Sequence, residues 1–138
     1  MAKTFVDTNV FVYALDEADE RKHRIARKEI ERVSDAGFAV VSTQILQELY
    51  NVVTRKLGHE PLKSKALVQE VAENELVVVD LVAIERAIDI SILNSLSFWD
   101  SLLISAASMA NCTDMLTEDM QHDSTIAGVR IVNPFRRA

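Results

Sequence analysis

The chain has 138 residues, a formal net charge of -6, 49% apolar and 26% charged residues, and one cysteine. That length makes a single domain, residues 1–138, with room for a sizeable core, and a lone Cys112 excludes an intramolecular disulfide framework. The acidic balance argues against a protein that blankets nucleic acid through Lys and Arg, but not against an enzyme whose carboxylates hold a cation.

With three Gly and two Pro the chain is expected to be rich in helix and poor in loops. It enters a strand at once, and Asp80 and Glu85 interrupt its longest apolar runs. A cytoplasmic protein without signal peptide or membrane span is therefore expected.

In chain order, Lys3 to Val6 reads as a short strand, ended by Asp7, Thr8 and Asn9, which favour strand ends, caps and local backbone bonds. In an open α/β sheet, ligands bind outside the carboxyl ends of the strands, where Asp7 falls. Taken alone, Asp7 or Thr8 reads first as the cap of a short helix over 10–15. A second helix follows over 19–33, its mixed Arg, Lys and Glu marking a solvated face with local pairs. Gly37 closes it, and Phe38 to Ser42 is the second strand.

Thr43 is then expected to cap a helix from Gln44 to about Leu57. Ile45, Leu46, Leu49, Val52, Val53 and Lys56 fall on one face at helical period, and Glu48 sits one helical step from Ile45 and Val52, at the flank of that stripe. Two readings of Glu48 stand side by side. Either it leans against the core and requires a partner or a cation, or it turns outward and pairs with Arg55 or Lys56.

Pro61 sits in the next connection, and Leu62 to Glu73 forms an amphipathic helix through Leu67, Val68 and Val71. Leu76 to Val79 reads as a strand buried on both faces, hence central and parallel. Asp80 caps the helix after it, over 82–94. From Ser95 to Ala110 a run of small residues suits a helix packed closely in the interior, with Asp100 in its first turn. On spacing alone, Ser97 and Asp100 form a capping box. Cys112 is expected at the end of that helix.

Asp114 to Thr117 is a further short strand, left through the acidic loop from Glu118 to Asp123. Val129 to Val132 is the last strand. His122 lacks a second His at zinc-ligand spacing, and the loop lacks the alternating acids and Gly of a calcium-binding EF-hand. The order β-α-α-β-α-α-β-α-α-β-β predicts an α/β domain, a mostly parallel sheet of about four or five strands with helices on both faces. Four acids, Asp7, Glu48, Asp100 and Asp119, can converge at one end of such a sheet, where they would repel one another unless hard cations sat among them.

Four motifs occur in order: Val6-Asp7-Thr8-Asn9 after the first strand, Ser42-Thr43 with Gln47-Glu48, Trp99-Asp100 opening an Ala-rich helix, and Leu116-Thr117-Glu118-Asp119 after a late strand. As an ordered set spanning essentially the whole chain, they resemble the PIN domain, in size most like the VapC-type toxins of bacterial and archaeal toxin-antitoxin pairs. The resemblance implies a Mg²⁺- or Mn²⁺-dependent endoribonuclease with Asp7, Glu48, Asp100 and Asp119 as its metal-binding and catalytic acids, leaving 5′-phosphate and 3′-hydroxyl ends. It implies supporting roles for Thr8, Asn9 and Thr117, with Asp123 as an outer acid. It also implies RNA as substrate, a small antitoxin as partner, and a homodimer.

The chemistry agrees with that assignment, since a phosphodiester is a poor electrophile that divalent ions activate, and Mg²⁺ prefers oxygen ligands. No Ser-His-Asp or Cys-His set competes. A phosphatase of the haloacid dehalogenase type needs a second acid two residues after the first, where this chain has Asn9. A receiver-like module needs a late strand-end Lys, where Thr117-Glu118-Asp119 stands. A degenerate PIN domain that only binds RNA or protein is opposed by the presence of all four acids.

Overall fold

A computed structural model describes residues 2–137. Six helices flank a six-stranded sheet, and the chain runs β1 (Lys3–Val6), α1 (Thr8–Leu15), α2 (Glu20–Ser34), β2 (Ala39–Ser42), α3 (Thr43–Arg55), α4 (Pro61–Val71), β3 (Glu75–Val77), α5 (Leu81–Asn94), α6 (Phe98–Met109), β4 (Cys112–Leu116), β5 (Thr125–Ile126) and β6 (Val129–Val132). The expected α/β class is thus observed. The strand order is β3-β2-β1-β4-β6-β5, parallel throughout except for the β5/β6 pair.

That order contains one reversal of direction. From β1 the chain steps outward through β2 to β3, then crosses back to lay β4 on the other side of β1. Right-handed crossovers lead the helices of the two halves to opposite faces, so a crevice opens at the carboxyl ends of β1 and β4. The register pairs Val6 with Leu116, which brings the residues just beyond both strands side by side.

The core follows from the apolar strands. Phe5, Val6, Val40, Val41, Met115, Leu116 and Ile131 are fully or nearly fully buried, as are Ile45 and Leu49 of α3 and Ile104 of α6. Seven consecutive residues of α6, Ser101 to Ala107, are buried, because α6 lies between the sheet and α5. The small side chains there allow that close approach, and Ser105 satisfies its hydroxyl on the Ala83 carbonyl at 2.8 Å. No single helix among the described residues is long and apolar enough to cross a membrane.

Several expected details are corrected. The third strand is not central but lies at the sheet edge, and it is three residues long, with Val78 beyond it 66% exposed. An apolar run records β-propensity, whereas the crossovers decide which strand takes the centre, and β1 occupies it. The two-residue β5 forms a hairpin with β6 and carries too little periodicity to be read from sequence. Thr43 does not cap α3: it is the first helical residue, and its hydroxyl accepts from Val79 N–H at 3.2 Å. Pro61 opens α4, since its missing N–H falls where a helix has no acceptor for it. Cys112 begins β4 instead of ending a helix, and burial pushes its thiol up to about 12, away from reactivity.

Candidate active site

The carboxyl ends of β1 and β4 present Asp7 and Thr117 to one another. Asp7 is only 4% exposed and Thr117 is fully buried. The Thr117 hydroxyl donates to Asp7 Oδ2 at 2.7 Å, and Thr8 N–H donates to Asp7 Oδ1 at 2.7 Å. Asp7 is therefore the N-cap of α1 as its position suggested, and it also lines the cleft at this end of the sheet. Burial raises its pKa to about 6, the Thr117 and Thr8 bonds oppose that rise, and the negative charges of Glu48 and Asp119 add to it.

Asp119 leaves β4 two residues after Thr117, whose oxygen accepts from Asp119 N–H at 3.1 Å. The Asn9 amide nitrogen lies between the two aspartates, donating to Asp119 Oδ2 at 3.0 Å and to Asp7 Oδ2 at 3.3 Å. These acceptors, with Thr117 Oγ1 at 3.5 Å as a third, fix the orientation of that amide and leave Asn9 Oδ1 buried without a partner. Glu48, half-buried on α3, accepts from the Thr8 hydroxyl at 2.8 Å and from Gln44 Nε2 at 3.0 Å. Of its two sequence readings, the inward one holds.

These groups line one open cleft of about 460 Å³, walled by Val12, Tyr13, Asn51, Val52, Lys56 and Glu118 and floored by Asp7, Thr8, Asn9, Glu48 and Asp119. Of the expected acids, Asp7, Glu48 and Asp119 share it. Asp100 does not line it and remains in the first turn of α6, where Ser97 Oγ accepts from its N–H at 3.1 Å. The return half of the capping box, from Ser97 N–H to the carboxylate, is not formed among the described residues. Asp123 stands apart, exposed and ion-paired with Arg130 at 2.7 Å, which lowers its pKa.

Sequence reasoning passed over two parts of this site. Gln44, 6% exposed, donates to Glu48 and also to the Trp99 carbonyl at 3.3 Å, so one amide joins the acid of α3 to the residue before Asp100. Its i, i+4 spacing from Glu48 was the available signal. At the cleft wall, Glu118 accepts from Tyr13 at 2.6 Å and from Lys22 at 2.9 Å, and the same ammonium lies 4.8 Å from the Tyr13 ring centroid. Nothing local in the sequence links Lys22 to Glu118.

The donor set suits a hard divalent ion: all its charged members are carboxylates, and the unsatisfied buried atoms on the amides that touch them, Asn9 Oδ1 and Gln44 Oε1, are also oxygen. Among the described residues no three Asp, Glu, His or Cys side chains stand close enough to ligate one ion directly. The residues present thus suit a divalent ion held by one or two carboxylates with waters completing its shell, not a closed protein cage.

Residues 4–125 match the family model of the PIN domain. No match is found among curated proteins. The fold is similar to a toxin-antitoxin complex from Klebsiella pneumoniae (TM-score 0.70, 16% identity, 96% of this chain and 98% of that chain). It is also similar to DNA-bound VapBC from Salmonella typhimurium (0.68, 18%, 95% and 97%) and to the sarcin-ricin loop cleaving toxin VapC20 of Mycobacterium tuberculosis (0.66, 18%, 82% and 87%).

Proposed function

The chain belongs to the PIN domain family, and from that premise we propose that it is a Mg²⁺- or Mn²⁺-dependent endoribonuclease, the toxin of a type II toxin-antitoxin pair. The observation that carries this reading is the trio Asp7, Glu48 and Asp119 around one cleft at the reversal point of the sheet, with Asp7 buried at a cost that a bound cation would offset. The fold it shares with VapBC assemblies supports the pairing with a small antitoxin. That VapC20 is a sarcin-ricin loop cleaving toxin supports the reaction class. A homodimer acting in the cytoplasm is part of the same proposal.

Asp7 and Asp119 would hold the ion, with Glu48 and Asp100 completing the acidic set. When bound, the ion neutralises the scissile phosphate, acidifies a water and stabilises the leaving oxygen. The chain's own contribution is orientation. Thr117 and Thr8 N–H hold both oxygens of Asp7, so it offers its charge without rotating. Thr8 and Gln44 fix Glu48 in the same way, leaving its remaining lone pairs to accept a proton from a water in the cleft. Asn9 spaces the two aspartates.

The test is incubation of purified, antitoxin-free protein with total RNA, with and without Mg²⁺ or Mn²⁺, followed by mapping of the cut ends. Metal-dependent cuts with 5′-phosphate ends, absent in Asp7→Asn, are expected. Equal cleavage in excess chelator would refute the mechanism. RNA bound but never cut would favour a non-catalytic RNA- or protein-binding PIN module.

A further inference from the structure

We propose that the face of α3 running from Glu48 to Lys56 is the track along which single-stranded RNA leaves the acidic cluster, with Lys56 binding a backbone phosphate some nucleotides away from it. The inference rests on the ribonuclease reading above and adds to it a direction and a subsite.

Glu48, Val52 and Lys56 follow one another at intervals of four residues, so they lie along one stripe of the helix, and Asn51 adjoins it. All four line the same cleft as Asp7 and Asp119. Eight residues of helix rise about 12 Å, and a stacked strand advances about 3.4 Å per nucleotide, so Lys56 stands roughly three nucleotides from the acids. Between them Val52 offers an apolar surface to a base or ribose, and the exposed Asn51 amide offers both donor and acceptor.

Charge separates Lys56 from the other lysine near the cleft. Lys22 is already neutralised by Glu118 at 2.9 Å and braced by the Tyr13 hydroxyl at 3.2 Å. Lys56 has no carboxylate partner among the described residues. An unpaired ammonium at the rim of a cleft floored by carboxylates has an anionic ligand as its natural complement. The anion that also presents a reacting group to the acids is a phosphodiester chain. The acids exclude it from the floor without metal, and Lys56 retains it at the rim.

The experiment uses the full-length protein with a fluorescein-labelled single-stranded RNA. To separate binding from cleavage, Asp7→Asn and Asp7→Asn/Lys56→Ala are compared by anisotropy across a salt series. Loss of Lys56 is expected to weaken binding about tenfold at low salt and to reduce the slope of log affinity against log salt by about 0.7, as for one phosphate contact. Lys56→Arg should restore both, and trimming the RNA to a dinucleotide should abolish the difference. In the cleaving background, Lys56→Ala should raise KM and leave kcat.

Lys56 is exposed, so its variants are expected to melt as the parent does. Equal affinity and salt slope for Lys56→Ala, a loss that persists on the dinucleotide, or no RNA binding by either protein would overturn the subsite. Lys56-dependent binding by a protein that never cuts RNA would instead sustain the subsite and sink the ribonuclease reading.

Discussion

Thr117 and Asp7 stand 110 residues apart and share a buried hydrogen bond of 2.7 Å, while the same threonine oxygen receives Asp119 N–H at 3.1 Å. One hydroxyl therefore orients both aspartates of the cleft, donating to one and accepting from the backbone of the other. The bond exists because β1 and β4 are adjacent and in register, so any change there acts on the site through the sheet.

Thr117→Val keeps the shape and removes the hydroxyl. Asp7 then loses its strongest opposing bond and Asp119 N–H loses its acceptor. A destabilisation of about 1–3 kcal/mol is expected, as for an unsatisfied buried group. The pH at which cleavage is half-maximal should move upward. Urea unfolding and a pH–rate profile measure the two, and an unshifted profile would remove Thr117 from the control of Asp7.

The pH dependence of stability without metal follows from Asp7. Its pKa is about 6 in the fold, against about 3.9 in an unfolded chain. The native state therefore binds the proton more tightly, and stability contributed by protonated Asp7 is present at low pH and lost as pH rises from about 4 to about 6. The loss is on the order of 3 kcal/mol. Asp7→Asn should flatten this decline while abolishing cleavage. Melting curves over that pH window decide it: equal pH dependence in both proteins would mean that Asp7 titrates normally.

Divalent ions should reverse that loss at neutral pH. A ligand at about a hundredfold over its Kd stabilises by about 2.7 kcal/mol, so Mg²⁺ or Mn²⁺ should raise Tm, and less so in Glu48→Gln. A Tm that stays constant over a wide titration would count against a preformed site.

Gln44→Met removes the amide that joins Glu48 to the Trp99 carbonyl while conserving volume. Glu48 should lose orientation, giving weaker metal affinity and slower cleavage, with stability lowered by about 1–2 kcal/mol. Gln44→Glu, which sets a second carboxylate against Glu48, should be worse on both counts. Isothermal titration with Mn²⁺ and single-turnover cleavage provide the readouts; unchanged affinity in both variants would make Gln44 a purely structural residue.

Asp100 and Ser97 can be separated in the same manner. Ser97→Ala deletes an observed cap and should cost about 1 kcal/mol while keeping substantial activity. Asp100→Asn leaves that cap in place, so the metal-free fold should keep its stability while cleavage collapses. An active Asp100→Asn enzyme would show that this acid, which does not line the cleft, takes no part in the chemistry.

The sequence by itself determined the class of fold and the position of each candidate acid along the chain. Alternating apolar strands and amphipathic helices are local patterns, and polar residues end strands for local reasons, so Asp7, Glu48 and Asp119 were legible where Phe5, Val6, Leu116 and the stripe of α3 stop or turn. Only the tertiary structure decided which of them meet. Strand order depends on which crossover returns to which side of β1, and an apolar run such as Leu76 to Val79 looks the same at a sheet edge as at its centre. The bond between Thr117 and Asp7, the Gln44 bridge and the pairing of Lys22 with Glu118 all span elements brought together by that order. Hydrogen bonds reach about 3 Å, and no local pattern encodes a distance that short between residues so far apart in the chain.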